Sequence, residues 1–138
     1  THSFIEAERA VAVRDLVTDN SFRPVGRAGG AFRLHIAVRD NRLVLAVSDR
    51  DGAPVVTHIL PLAPFARAGK DYFLICESYY DAMRRQNLTQ LEAIDAGRRA
   101  LHNEGSALLI DRLADKVAVD HDTARRLFTL ICVLHLRA

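Results

Sequence analysis

The sequence lacks the short motifs that identify most enzymes and metalloproteins. It has no glycine-rich phosphate loop, no nucleophile elbow, no paired-cysteine motif and no zinc-protease helix motif. These absences weaken an enzymatic interpretation without excluding it, because an acid–base catalyst can draw single residues from distant segments. We therefore leave open whether the protein is an enzyme, and we predict no cofactor.

Cysteine is also scarce, with only Cys76 and Cys132 in the chain. Each lies in an apolar helical pattern, where a thiol usually packs as a small buried hydrophobe. Few cysteines also suit a reducing compartment. We expect two free thiols and a cytoplasmic protein.

Long apolar runs and charge of one sign are missing as well. The longest apolar run, residues 127–136, would extend about 15 Å as a helix, which is half of a bilayer's hydrocarbon thickness. The 19 basic and 17 acidic residues give a net charge of +2 and alternate along the chain, whereas nucleic-acid binding needs a one-sided basic surface. We predict neither a membrane span nor a nucleic-acid partner.

The apolar spacing in the first third of the chain predicts a helix and then a hairpin. A helical pattern ends near Asp19, and strict alternation over residues 32–38 is typical of a half-buried strand. Pairing across a two-residue turn at Asp40–Asn41 places Val38 opposite Leu43, so the apolar residues of both strands share one face.

A second turn at Asp51–Gly52 introduces a third strand over residues 55–60. A two-residue loop would put His58 on the core face, and a three-residue loop would turn it toward solvent. The sequence leaves both alternatives open.

The remaining apolar spacing is helical. From Asp71 the period changes to three and four, which predicts a helix that this residue caps. Thr89 and Glu92 have the spacing of a capping box for the next helix, and Asp120 is a good N-cap for the last one. We therefore predict one α+β domain over residues 1–138, with an N-terminal helix, a three-stranded antiparallel meander, and three or four C-terminal helices packed on the sheet.

Two glycines and the last helix suggest close packing. Glycine inside a helix costs about 1 kcal/mol, so Gly97 indicates a neighbouring backbone pressed close. Gly105 either lies within the same helix or ends it, and the apolar spacing is compatible with both alternatives. From Leu127 the last helix is apolar nearly all round, which is typical of a helix at the centre of its domain or against another chain.

A polar stripe on one predicted helix is the best chemical clue. It consists of Asp95, Arg98, Arg99 and His102, whose spacings of three, four and seven place them on one face. A structural interpretation pairs Asp95 with Arg98 or Arg99 for about 0.2 to 0.5 kcal/mol. A functional interpretation is an anion pocket, in which a guanidinium grips a phosphate or carboxylate and His102 donates to it. Acid–base catalysis by His102 is a third alternative.

The stripe does not predict a metal site. Glu104 lies two residues beyond His102, and side chains two apart on a helix point about 200° from each other. They cannot hold one ion from one face. We predict no metal.

Three long strings resemble the signature segments of uncharacterised protein family 0262, a group of small bacterial proteins. They are KDYFLICESYY at residues 70–80, AIDAGRRALHNEGS at residues 93–106 and TARRLFTLICVLH at residues 123–135. The likeness covers nearly the whole chain. It implies a bacterial, cytoplasmic protein whose recurring residues include the polar stripe, and it brings no activity, substrate or cofactor.

Two functional hypotheses follow. The first is a non-enzymatic protein that acts through binding and regulates or scaffolds a partner, with self-association into a homodimer through its apolar helices. It rests on the all-round apolar last helix and the missing catalytic motifs.

The second hypothesis is a small enzyme or sensor that binds a phosphorylated or carboxylated metabolite. The stripe would hold the anion, with Asp95 orienting one guanidinium. His58 or Asp71 would contribute from neighbouring elements.

Overall fold

Four helices and two small sheets make up the part of the chain that a computed structural model describes, residues 3–137. In chain order the elements are α1 (Ser3–Thr18), β1 (Phe22–Pro24), β2 (Phe32–Arg39), β3 (Arg42–Asp49), β4 (Pro54–Pro61), α2 (Ala63–Arg84), α3 (Leu88–Leu113), β5 (Val117–Val119) and α4 (His121–Arg137). The predicted α+β class is confirmed. Between residues 3 and 137, no helix is both long enough and apolar enough to cross a bilayer.

The central sheet is the predicted antiparallel meander, with strand order β2-β3-β4. Val38 lies opposite Leu43, as the alternation predicts. Asp40 and Asn41 have φ values of 51° and 61°, and two positive φ angles characterise a type I′ turn, whose twist suits a tight hairpin.

The third strand settles the alternative that the sequence left open. His58 lies opposite Leu45, whose side chain is buried, so His58 is half-buried on the core face. The connecting loop spans residues 50–53 and is longer than either loop considered, with a register shift between Val47 and Ser48. Asp49 organises the loop by accepting hydrogen bonds from the backbone N–H groups of residues 51 and 53, each 2.9 Å long.

A second, two-stranded sheet is absent from the sequence prediction. In it β1 pairs antiparallel with β5, with Phe22 opposite Val119. The Ser21 N–H next to it donates to the Thr123 hydroxyl over 2.9 Å. Three-residue strands carry too little alternation to be recognised, and here they join the segment after α1 to the segment before α4.

Helix α2 begins eight residues before the predicted start, and Asp71 does not cap it. Its first residue is Ala63, and Pro64 lies in the first turn. Proline suits this position because its fixed φ is helical and because N–H groups of the first turn make no hydrogen bond within the helix. Phe65 is 1% exposed, so the first turn already belongs to the core. Asp71 is instead an exposed residue inside the helix.

Helix α3 also begins before its predicted cap. Asn87 caps it by accepting a hydrogen bond from the Gln90 N–H over 3.1 Å, so the predicted box at Thr89 and Glu92 lies inside the helix. The helix continues unbroken past Gly105 to Leu113. The alternative in which this glycine ends a helix is therefore wrong.

Helix α4 occupies the centre of the fold. Its predicted cap is confirmed, since Asp120 accepts a hydrogen bond from the Thr123 N–H over 2.8 Å. The helix packs on α1, α2, α3 and β2. Phe128 and Ile131 are at most 1% exposed. Its own chain thus covers most of the apolar surface that the sequence displays.

The two glycines of α3 sit at close contacts with side chains. A Cβ on Gly105 would lie 2.3 Å from Cζ of Phe128. At Gly97 a Cβ would lie 2.7 Å from Cδ1 of Ile75, so the neighbour predicted there is a side chain and not a backbone. Gly105 brings α3 against the ring of the central helix.

Gly105→Ala is expected to lower the free energy of unfolding by about 2 kcal/mol. The clash with the buried Phe128 ring is expected to cost about 3 kcal/mol, the upper end of typical overpacking, and the roughly 1 kcal/mol that alanine gains in a helix offsets only part of it. Gly97→Ala is the matched control, because the flexible end of Ile75 can move, and its unfolding free energy should stay within about 1 kcal/mol of the parent. Denaturant titration of both variants measures this, and equal losses would contradict the packing argument.

Candidate functional site

The acidic residue of the stripe binds both arginines. Nη2 of Arg98 lies 2.7 Å from Oδ1 of Asp95, and Nε of the same arginine lies 3.1 Å from that oxygen. Nε of Arg99 lies 3.3 Å from the other oxygen, Oδ2. The hydrogen bond from Arg98 and the two positive charges hold the pKa of Asp95 below its ordinary value. One carboxylate thus partly neutralises both guanidiniums.

Arg98 is also part of a contact network among three helices. Its guanidinium lies 4.5 Å from the centre of the Tyr79 ring on α2, within the range of a cation–π interaction. The neighbouring Tyr80 hydroxyl donates to Glu8 of α1 over 2.8 Å. These contacts tie α3 to α2 and α2 to α1. This side of the stripe therefore has a structural role.

His102 faces the interior of the helical layer. Its Nε2 lies 2.8 Å from the Thr129 hydroxyl and 3.1 Å from the Arg125 carbonyl oxygen, both on α4. Its ring centre lies 4.7 Å from that of Tyr72. Burial lowers the pKa of His102 to about 4, so the imidazole is neutral at pH 7. Its Nε2 is engaged by the protein's own polar groups.

The other two predicted site residues lie outside this cluster. His58 is half-buried on β4, opposite Leu45. Asp71 is exposed on α2. No contact described for residues 3–137 joins either side chain to the stripe.

The two cysteines are free and buried, as expected. Burial raises the pKa of the Cys76 thiol to about 11 and that of Cys132 further. Both thiols are therefore protonated and unreactive at neutral pH. Nor does any group of three or more His, Cys, Asp or Glu side chains within the described residues have an arrangement that could hold a metal ion.

An apolar groove of about 720 Å³ runs between α1 and β2, with α4 as its floor. Leu16 stands on the α1 wall, Leu34 on the β2 wall and Leu127 on the floor. The complete lining is Val13, Leu16, Val17, Asn20, Phe22, Gly30, Ala31, Phe32, Leu34, Ile36, Thr123, Leu127 and Leu130. None of these side chains is titratable, so the groove suits an apolar group.

Sequence reasoning missed this groove, although it identified the strand that forms one wall. The core-facing residues of β2 are only half-buried, whereas Leu43, Leu45 and Val47 of the central strand are at most 5% exposed. The groove lies where the apolar face of β2 is only half-buried. Alternation in a sequence shows which face is apolar, but not how completely another element covers it.

The protein is thus a helix-rich α+β protein with an apolar groove beside the edge strand β2. The chain belongs to the Uncharacterised protein family UPF0262, whose family model matches residues 1–137. The resemblance seen in the sequence is thereby confirmed.

Curated relatives from bacteria share this family name. The chain is 62% identical over 134 residues to a UPF0262 protein of Chelativorans sp. strain BNC1, a match that covers 96% of this chain and 83% of that protein. It is 58% identical over 133 residues to UPF0262 proteins of Rhizobium etli strain CIAT 652 and Agrobacterium fabrum strain C58, which covers 96% of this chain and 85% of each. No solved structure matches the chain. These names carry no activity, and the function is unknown.

The half-buried imidazole of His102 makes the free energy of unfolding depend on pH. Because the pKa of His102 in the folded protein is about 4 and that of an unfolded histidine is 6.5, its contribution is fully present above pH 6.5 and is lost as the pH falls toward 4. The loss from this group is at most roughly 3 kcal/mol. Denaturant titrations at several pH values measure it.

The variant His102→Gln isolates this contribution from that of the carboxylates. Its stability should fall less steeply than that of the parent between pH 6.5 and 4. His35→Gln, which changes an exposed histidine, should follow the parent curve. Parallel curves for the parent and His102→Gln would show that the buried imidazole has no such effect.

Proposed function

We propose that this protein is a non-enzymatic binding protein that holds an apolar polypeptide segment of a partner in the groove between α1, β2 and α4. The groove itself carries the proposal. Its volume of about 720 Å³ lies in the range of small-molecule pockets, roughly 300–1,000 Å³, and is large enough for apolar side chains of a partner.

The composition of the groove favours binding over catalysis. An acid–base catalyst needs a titratable group within reach of its substrate, and the lining contains none. The polar side chains in the lining are Asn20 and Thr123. The hydroxyl of Thr123 already accepts the Ser21 N–H. Burial of apolar surface is thus the main source of affinity that the groove offers.

The apolar rim extends the same surface. Val17 on α1 is 80% exposed and Val13 is 39% exposed, and both line the groove. A large exposed apolar surface next to a groove is typical of an interaction site. Regulation or scaffolding of a partner, in the cytoplasm, is the corresponding role.

Self-association is a weaker form of this proposal. The apolar last helix suggested it in the sequence, but α4 is largely covered by its own chain. A homodimer through the helices stays a prediction, and sedimentation measures it directly.

Binding of the neutral dye Nile red should report the groove. We expect its fluorescence to rise with the parent protein and its affinity to fall severalfold in Val13→Gln, because an amide replaces an apolar wall. Val11→Gln is the matched control, since Val11 lies on the same helix with a similar exposure of 44% and does not line the groove. An equal effect of both substitutions, or no binding at all, would reject the groove as the site.

The polar stripe supports a second candidate function, the binding of an anionic metabolite. Arg99 favours it, because this side chain is 70% exposed and its ion pair with Asp95 is formed through Nε. The terminal nitrogens are then available for a phosphate or carboxylate. Two observations weigh against it: His102 is half-buried with its Nε2 bonded to α4, and Asp95 partly neutralises Arg98.

Inorganic phosphate tests this second candidate. If the stripe binds anions, phosphate should raise the melting temperature of the parent and not that of Arg99→Ala. Arg112→Ala, at an exposed position on the same helix, is the control and should respond as the parent does. Absence of a shift in the parent, or an equal shift in Arg99→Ala, would remove the stripe as a site.

A further inference from the structure

We infer that the occupant of the groove is an extended segment that adds to β2 as a fourth, antiparallel strand, with apolar residues alternating with acidic ones. The inference rests on the proposed function and specifies the chemistry of the partner. Three independent features of β2 support it: an open backbone edge, half-buried side chains above the groove, and unpaired positive charges on the opposite face.

The open edge follows from the strand order and the hairpin turn. β2 is the first strand of the order β2-β3-β4 and has no neighbour on its other side. Arg39 and Arg42 flank a two-residue turn and therefore exchange hydrogen bonds, so odd-numbered residues of β2 bond to β3. The N–H and C=O groups of even-numbered residues, such as Leu34 and Ile36, point outward. No described hydrogen bond uses them.

The same residues carry the side chains that form the groove wall. Phe32, Leu34 and Ile36 line the groove, and all are half-buried. A strand added to β2 would lie about 4.8 Å away, with every second side chain on the core face. Those side chains would enter the groove and cover the half-buried wall. An apolar residue at every second position therefore fits the site.

The charges on the outer face specify the other positions. Arg33 and Arg39 point to the outer face of β2, and neither arginine has an ion pair among the residues described. The outward positions of β3 and β4 contain no acidic residue. Opposite charges in directly facing strand positions are favourable, and like charges are not. Acidic residues therefore fit the outward positions of the added strand.

The same charges disfavour a second copy of β2 as the occupant. Antiparallel pairing of two β2 strands would bring two sets of Arg33 and Arg39 together on one face, without an acid between them.

The other edge of the sheet is less suitable. β4 has Pro54 and Pro61 at its ends, and proline blunts an edge because it lacks the N–H donor. The β2 edge contains no proline over its eight residues. Strand addition is thus expected at β2 alone.

A synthetic peptide of alternating valine and glutamate, matching the eight residues of β2, tests the inference. We expect it to bind the full chain and to slow hydrogen exchange at the Leu34 and Ile36 amides. The Thr57 and Ile59 amides, which point outward at the β4 edge by the same pairing argument, should stay unchanged. A peptide with lysine in place of glutamate should bind at least about tenfold more weakly, since opposed like charges replace ion pairs.

Backbone methylation separates strand addition from simple apolar binding. Residues directly opposite each other in an antiparallel pair share a face, so the valines would donate their N–H groups to β2. N-methylation of the valines should abolish binding, and N-methylation of the glutamates, whose N–H groups point away from β2, should leave it unchanged.

Charge-reversal variants test the outer face. Arg33→Glu with Arg39→Glu should reverse the preference and favour the lysine peptide. Arg50→Glu, at an exposed position in the β3–β4 loop, should keep the preference of the parent.

The possible failures are distinguishable. If Nile red binds in the groove but the peptide does not, or if methylated valines are tolerated, strand addition is wrong and the groove proposal stands. If neither the dye nor the peptide binds, both proposals fail. A concentration-dependent dimer with protected Leu34 and Ile36 amides in the absence of peptide would replace the acidic partner with a second copy.

Discussion

The structure depends on the burial of one apolar helix among three others and a sheet. Phe128 at the centre of α4 is fully buried, and its ring lies so close to Gly105 of α3 that no side chain fits between them. Dense packing of this kind makes the contact intolerant of added volume. The position of α3, and with it the position of the polar stripe, follows from this contact.

The stripe and the groove differ in how many of their polar groups and apolar surfaces already have partners within the protein. Asp95 pairs with both arginines, and His102 bonds to α4, so most of the stripe's polar groups have partners within the protein. The groove is the opposite case, because its walls remain half-buried and the adjacent backbone edge has no hydrogen-bond partner among the residues described. Unsatisfied surface is a better indication of a binding site than polar residue type, because burying that surface yields free energy on association.

The sheet and the helices contribute differently to that site. β2 offers both an edge and an apolar face, and α1 stands away from it because both elements pack on α4. The gap between them is the groove of about 720 Å³. Exposed sheet edges can pair with other chains, and natural proteins commonly cover or blunt them. In the proposed complex, the positive outer face of β2 would favour acidic over basic segments.

Local patterns determined the fold class, the first hairpin and the Asp120 cap, because alternation, turn residues and side-chain caps act over a few neighbouring positions. They failed at the starts of α2 and α3, where Pro64 and Asn87 outweighed the more obvious candidates Asp71 and Thr89. Only the tertiary structure decided that the helix continues through Gly105, that β1 pairs with β5, and that a groove lies beside β2. The physical reason is common to all three, since each depends on contacts between segments far apart in the chain. A sequence specifies which surfaces are apolar, and packing alone specifies which of them remain uncovered.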